Sequence, residues 1–424
     1  MPLRSSGILL LLLVGLALVP APAGAAVDRV TPRSAAAFRD SVGVNVHLSY
    51  YDTAYRNFTG VAHALSDLGV RQVRDGACSG CTGQNARLEA LGRQGIGLTL
   101  IMGRPGGSET LSSLVGLVSG PLAPYVAGVE GPNEYDGSGD PRWSAKVRAY
   151  QRDLWRRMRA IPSLDSVPVL SPSVLSLASF SKLGNLSRWL DCVNVHPYAG
   201  GDVPSADLGA NLRDARAVSG RKPVCATEAG YHNATADRGN HPGVSERAAA
   251  AYVPRLYLDF FRAGVERTFL YELVDEWPDP RRDKRESNFG LLRNDFSPKP
   301  AYRSLRELMR LTSPTARLGR LAPLPIAVEG GGDLHWQLLQ TAPKRYSVVL
   351  WRDVRVWDQH RERPVPVTAR RATLDFGQRV SVADVSVVDG HGAASTRRAG
   401  GRRHLSVDVG AYPVVARLRT PRAG

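Results

Sequence analysis

This chain is short of acids, of cysteine and of long apolar runs, and each shortage excludes something. Asp and Glu number 39 against 55 Lys and Arg in 424 residues, a net charge of +16. The excess Arg, dense at residues 280–285 and 396–404, is read as a solvated surface, with an acidic polymer as the alternative partner. Basic residues are not interleaved with aromatics, so a nucleic-acid module is excluded. There are four cysteines: Cys78, Cys81, Cys192 and Cys225. No second CxxC or His pair completes a zinc site around Cys78 and Cys81, and no thioredoxin-like context makes them a redox pair. A small loop closed by a Cys78–Cys81 disulfide is expected. Cys192 and Cys225 lie in apolar, strand-like runs and are expected as buried thiols, a bridge between adjacent strands being the alternative. A GxSxG elbow, an HExxH helix, a Gly-rich phosphate turn and a repeat at solenoid spacing are all absent.

The one long apolar run, residues 8–19, is too short to span a bilayer comfortably. Arg4 precedes it and the small residues of 21–27 follow it, with Ala23 and Ala25 at the positions a signal peptidase favours. A secretory signal over 1–25 is therefore expected, with a soluble, exported and monomeric mature protein.

What the chain does have is an alternation. β-Branched runs at 43–50, 70–76, 96–103, 125–134, 167–174, 191–198, 223–231 and 267–277 are separated by stretches of helical spacing. Eight strands each followed by a helix pair in parallel and close into a (β/α)8 barrel, here over residues 42–313. Residues 26–41 are a lead-in. After Pro314 the helical spacing gives way to short alternating runs between Gly-, Pro- and Asp-rich turns. Residues 314–424 therefore read as an antiparallel β-sandwich, whose Trp336, Trp351 and Trp357 are as readily core as sugar-binding.

Barrels of this kind keep their chemistry at the C-terminal ends of the strands. Those ends carry Asn45 and His47, Arg74 and Asp75, Asn133 and Glu134, His196 and Tyr198, Glu228 and Tyr231, then Glu272, Asp275, Glu276 and Trp277. Glu134 follows the fourth strand and Glu228 the seventh, so both carboxyls face one mouth. Two buried acids push each other's pKa apart, leaving one as acid and the other as nucleophile, the pair that glycosidic cleavage needs.

The "EGPNE" of residues 130–134 and the "ATEAGY" of 226–231 resemble the acid/base and nucleophile motifs of clan A glycoside hydrolases. The barrel followed by a sandwich is similar to family thirty-nine of that clan. The resemblance implies Glu134 as acid/base, Glu228 as nucleophile and Asn133 as donor to the sugar 2-hydroxyl. It further implies that His196 and Tyr198 flank the nucleophile, that Arg74 orients it and that Trp277 floors the −1 subsite. His47, Tyr231 and Glu272 are further candidates for substrate contact. The implied reaction is retaining hydrolysis of a carbohydrate, with an acidic or cell-envelope glycan as the candidate substrate, without metal or organic cofactor. The alternative is an inactive carbohydrate-binding protein on the same fold.

Overall fold

The computed structural model describes residues 27–239, 241–389 and 399–421. The expected signal segment, 1–25, lies outside them. No helix among the described residues is long and apolar enough to cross a membrane.

The eight expected barrel strands form, shorter than their apolar runs: Val42–Asn45, Gln72–Gly76, Gly97–Ile101, Val126–Glu130, Val169–Leu170, Val193–Val195, Val224–Ala229 and Thr268–Leu270. All neighbouring pairs are parallel, and the eighth strand pairs with the first. The gap between the fifth and sixth is closed by a parallel bridge, Leu170 to Cys192. Each strand is followed by a helix, from Phe58–Leu68 after the first to Pro300–Thr312 after the eighth. The first helix shows how local sequence sets the ends. The Asn57 side chain accepts from the Gly60 amide at its start, and Gly69 ends it in the left-handed conformation at φ 72°.

Cys192 and Cys225 are joined by a disulfide, as are Cys78 and Cys81. The expectation of buried thiols is thereby corrected. The sixth and seventh strands are direct neighbours, which brings the two sulfurs together inside the barrel wall.

The C-terminal region folds as a β-sandwich, built from one mixed, mostly antiparallel eight-stranded sheet, around its own apolar core, which includes Leu338, Tyr346, Val348, Leu374, Phe376 and Ala416. Two runs read as separate strands are one, Arg370–Val387, irregular between Asp375 and Val380 and passing through Gly377 at φ 62°. The lead-in segment belongs here too. Asp28–Val30 pairs antiparallel with Leu324–Glu329, and Arg33–Ser34 pairs parallel with Leu334–Ala342. The opposite face of the sandwich seals onto the barrel. Trp351, fully buried, donates its indole N–H to Asp259, and Trp357 donates to the Gly243 carbonyl. Arg255, buried in the helix Glu246–Arg262, donates to the carbonyls of Arg352, Val354 and Ala411.

Candidate active site

A cavity of about 890 Å³ opens at the C-terminal end of the barrel. At its floor lies Arg74, on the second strand and almost wholly buried. Its five N–H groups are all engaged. Two bind Glu130 at 2.7 Å each, one binds Glu228 at 2.7 Å, one Asn45 at 2.9 Å and one Asn133 at 2.7 Å. A guanidinium fork holds several acceptors at fixed angles, which an ammonium cannot do. Asn45 is itself anchored, donating to the carbonyls of Thr227 and Leu270.

The fourth strand ends at Glu130, and the chain then turns sharply. A Cβ at Gly131 would meet Gln151 Oε1 at 2.2 Å and the Pro172 nitrogen at 2.9 Å, so only glycine permits the turn to pack there. Glu134 follows in the left-handed region, φ 43° and ψ 38°, a conformation that costs energy for a residue with a Cβ. Ser173 fixes it, accepting from the Glu134 amide at 3.1 Å while donating to Asn133 Oδ1 at 3.0 Å. With that oxygen taken by Ser173 and Arg74, Asn133 is left with its N–H2 group to offer to a ligand.

Glu228 stands on the seventh strand. Arg74 donates to one of its oxygens and Tyr198 to the other, at 2.8 Å. Burial opposes ionisation of this carboxyl, but the charges of His196 and Arg74 and the hydrogen bonds from Tyr198 and Arg74 outweigh it and hold its pKa at about 2. It is an anion at any ordinary pH. Gly230, two residues on, leaves no room for a side chain, since a Cβ would sit 2.4 Å from the Tyr271 carbonyl.

His196 joins the two acids. Its Nδ1 lies 2.7 Å from Glu134 Oε1 and 3.7 Å from Glu228 Oε2. Its Nε2 lies 3.0 Å from the Thr227 hydroxyl. Thr227 in turn donates its proton to Asn194 Oδ1 at 2.7 Å, so it can only accept from His196. Nε2 therefore carries a proton. Nδ1 then either accepts from a protonated Glu134 or, as imidazolium, donates to its carboxylate, and the pair shares one proton. Burial opposes charge on His196, but the Glu228 and Glu134 carboxylates prevail and raise its pKa. One oxygen of each carboxylate and a ring nitrogen of His196 lie within 4.8 Å of one another. That set has the donors to hold a metal ion, as do His47, Glu272 and Glu276, whose ligand atoms are equally close.

Three expected contacts do not reach the cavity. Glu272 is fully buried behind His47, with Tyr55 donating to it at 2.8 Å. Tyr231 packs on Tyr252 and donates to the Asp202 carbonyl, inside the core. Trp277 does not floor the cavity but stands outside it on the rim, because the eighth strand stops at Leu270 and the chain has turned away before reaching it. Asp275, also past the eighth strand, is held by the buried Lys299 at 2.8 Å. His47 does line the cavity, stacked on Tyr50.

Residues not anticipated include Glu130, which neutralises Arg74, and an aromatic wall of Tyr271, Phe289 and His241. Tyr271 and Phe289 meet edge-on with centroids 5.1 Å apart. Tyr271 was there to be found, as the first residue past the eighth strand. Phe289 sits on a long following loop and carried no signal.

No protein-family model matches the chain, and no curated protein does. Solved structures do. The GH39 enzyme from Xanthomonas axonopodis pv. citri aligns with a TM-score of 0.58 at 16% identity, over 96% of this chain and 100% of its own. A monomeric beta-xylosidase from Caulobacter crescentus aligns at 0.59 and 13% identity, over 93% and 98%. A glucosidase from Croceicoccus marinus aligns at 0.57 and 11% identity, over 85% and 92%. At such identities the likeness establishes the fold, and it does so for barrel and sandwich together: the chain is built on the frame seen in these glycoside hydrolases.

Proposed function

We propose that the protein is a retaining glycoside hydrolase with Glu134 as acid/base and Glu228 as nucleophile. The observation that carries this is the juxtaposition of the two carboxylates, with oxygens within 4.8 Å, over one open cavity. Retaining enzymes hold their carboxyl groups about 5–5.5 Å apart, and inverting enzymes leave room for a water between. The environments also differ. Glu228 is held ionised by Arg74 and Tyr198, whereas Glu134 is hydrogen-bonded to His196.

In the first step Glu134 protonates the departing oxygen while Glu228 attacks the anomeric carbon, forming a glycosyl ester. In the second, Glu134 takes a proton from water, which attacks the same carbon and releases Glu228. The free N–H2 of Asn133 faces the sugar and strengthens its hydrogen bond as charge develops.

The sugar at the centre is neutral. Arg74 is saturated by Glu130 and Glu228, and Arg285, the other arginine lining the cavity, is paired with Asp237 at 2.9 Å. A uronic acid would be desolvated there without a counter-charge. Export through the 1–25 signal completes the reading, and two disulfides suit an oxidising compartment.

The test is a panel of soluble polysaccharides and aryl glycosides assayed for new reducing ends, with early product followed by proton NMR. Wild type is expected to release a product that keeps the anomeric configuration. Glu134→Gln is expected to lose about 10²–10⁴-fold in kcat while still binding, and Glu228→Gln to stop turnover. Inverted product, or undiminished activity in either variant, refutes the assignment.

A further inference from the structure

Trp277 has no place in the cavity, yet its position is not random. Among the described residues, five large hydrophobic side chains are exposed: Tyr50, Tyr51, Leu175, Leu177 and Trp277. Scattered singly over a surface they would need no explanation. They all lie on segments that follow the first, fifth and eighth barrel strands, at the one face where the cavity opens. Leu175 and Leu177 border the cavity on one side and Tyr50 on another.

Beyond Tyr50 the surface dips again. A second hollow of about 330 Å³ is lined by Asp52, Thr53, Asn57, Trp277, Asn294 and Asp295. It adjoins the cavity through the short segment from Tyr50 to Asp52. Trp277 is 41% exposed, but its backbone is pinned: the Glu276 carbonyl accepts from the Ala54 amide at 3.0 Å and from Asn294 Nδ2 at 2.7 Å. The Asp52 carboxylate accepts no hydrogen bond from the described residues, and Asn57 spends its oxygen on the helix it caps, leaving its N–H2 group. An exposed indole beside a free acceptor and a free donor matches a sugar ring, which has an apolar face and a hydroxyl edge.

We propose that this hollow is a distal carbohydrate subsite. A glycan whose scissile bond lies between Glu134 and Glu228 runs over Tyr50 and rests a further sugar on Trp277. The substrate is then an oligosaccharide or polysaccharide rather than a disaccharide. This rests on the glycosidase reading and extends it from the reacting bond to the chain around it.

The experiment uses Glu134→Gln protein on a glycan array carrying neutral oligosaccharides of two to eight units, followed by calorimetry on the binders. Affinity is expected to rise with chain length. Adding W277A is expected to weaken binding by a factor that grows with length, reaching about tenfold for the longest chains (one stacked ring, about 1.4 kcal/mol). W277F is expected to keep most of it. An unchanged length dependence in W277A, or no glycan bound at any length, overturns the subsite. Length-dependent binding through Trp277 in a protein whose wild type hydrolyses nothing would sink the hydrolase assignment and leave the subsite standing.

Discussion

Thr227 is the residue next to the nucleophile that touches no sugar and still bears on the reaction. It fixes which nitrogen of His196 holds the proton. With Thr227 committed to Asn194, Nε2 must donate, and the proton at Nδ1 is left to travel to and from Glu134. Valine has nearly the same shape and no acceptor. Thr227→Val is expected to lower kcat about tenfold, to move the acid/base limb of the pH profile and to change the nitrogen-15 shifts of His196 away from the Nε2-protonated form. Thr227→Ser is expected to restore all three. A valine variant with wild-type imidazole shifts would show that the tautomer is set elsewhere. At this scale much was legible in the sequence. Arg74, Asn133, Glu134, His196, Tyr198 and Glu228 lie at or just past strand ends, where a barrel of this kind keeps its chemistry. Glu130 was not legible as a partner of Arg74, since a buried acid reads the same whether or not a guanidinium lies across the barrel from it.

The segment after the eighth strand behaves as an element with its own electrostatics. Glu272, Asp275 and Glu276 crowd together there, and Lys299 answers only Asp275. Burial, then the charges of Glu286 and Asp52, push Glu276 up to about 7. A carboxyl in the unfolded chain ionises near 4.5, so between there and about 7 the folded state holds a proton that the unfolded state has lost. This favourable contribution is complete below the lower value and disappears as pH rises through the higher one. The melting temperature is therefore expected to fall across that window. Glu276→Gln is expected to melt like wild type at pH 4 and about 2–4 °C higher at pH 8. Equal melting at both pH values would locate the strain elsewhere. The same segment defeated sequence reading. Its apolar run continues to Trp277, but the hydrogen-bonded ladder ends at Leu270, and an apolar pattern does not record where pairing stops.

Barrel and sandwich share more than a boundary. Arg255, Trp351 and Trp357 seal a surface that neither part covers alone, and the Asp202 carboxylate on the barrel meets Arg355 of the sandwich near the cavity rim. A fragment ending at residue 313 would expose Tyr252 and leave Arg255 without its carbonyl partners. Such a fragment is expected to aggregate on expression, with size-exclusion chromatography as the check. A monodisperse barrel with the melting temperature of the whole chain would show the contact to be incidental. The change of texture at Pro314 made the sandwich legible. What period-two reading could not find was the part of it that precedes the barrel, since strands of two or three residues are too short to show alternation.

That early part has a consequence for how the molecule comes into being. Asp28 is paired with Ile326, 298 positions along the chain (326 − 28). The barrel is thus an insertion between two pieces of one sheet, and the first strands made have no partner until the whole barrel has been synthesised. A chain emerging from the ribosome, or threaded through a membrane pore, cannot complete its terminal sheet piece by piece. Its first strands must wait until the barrel has been made, so joining them to the sheet is a late event.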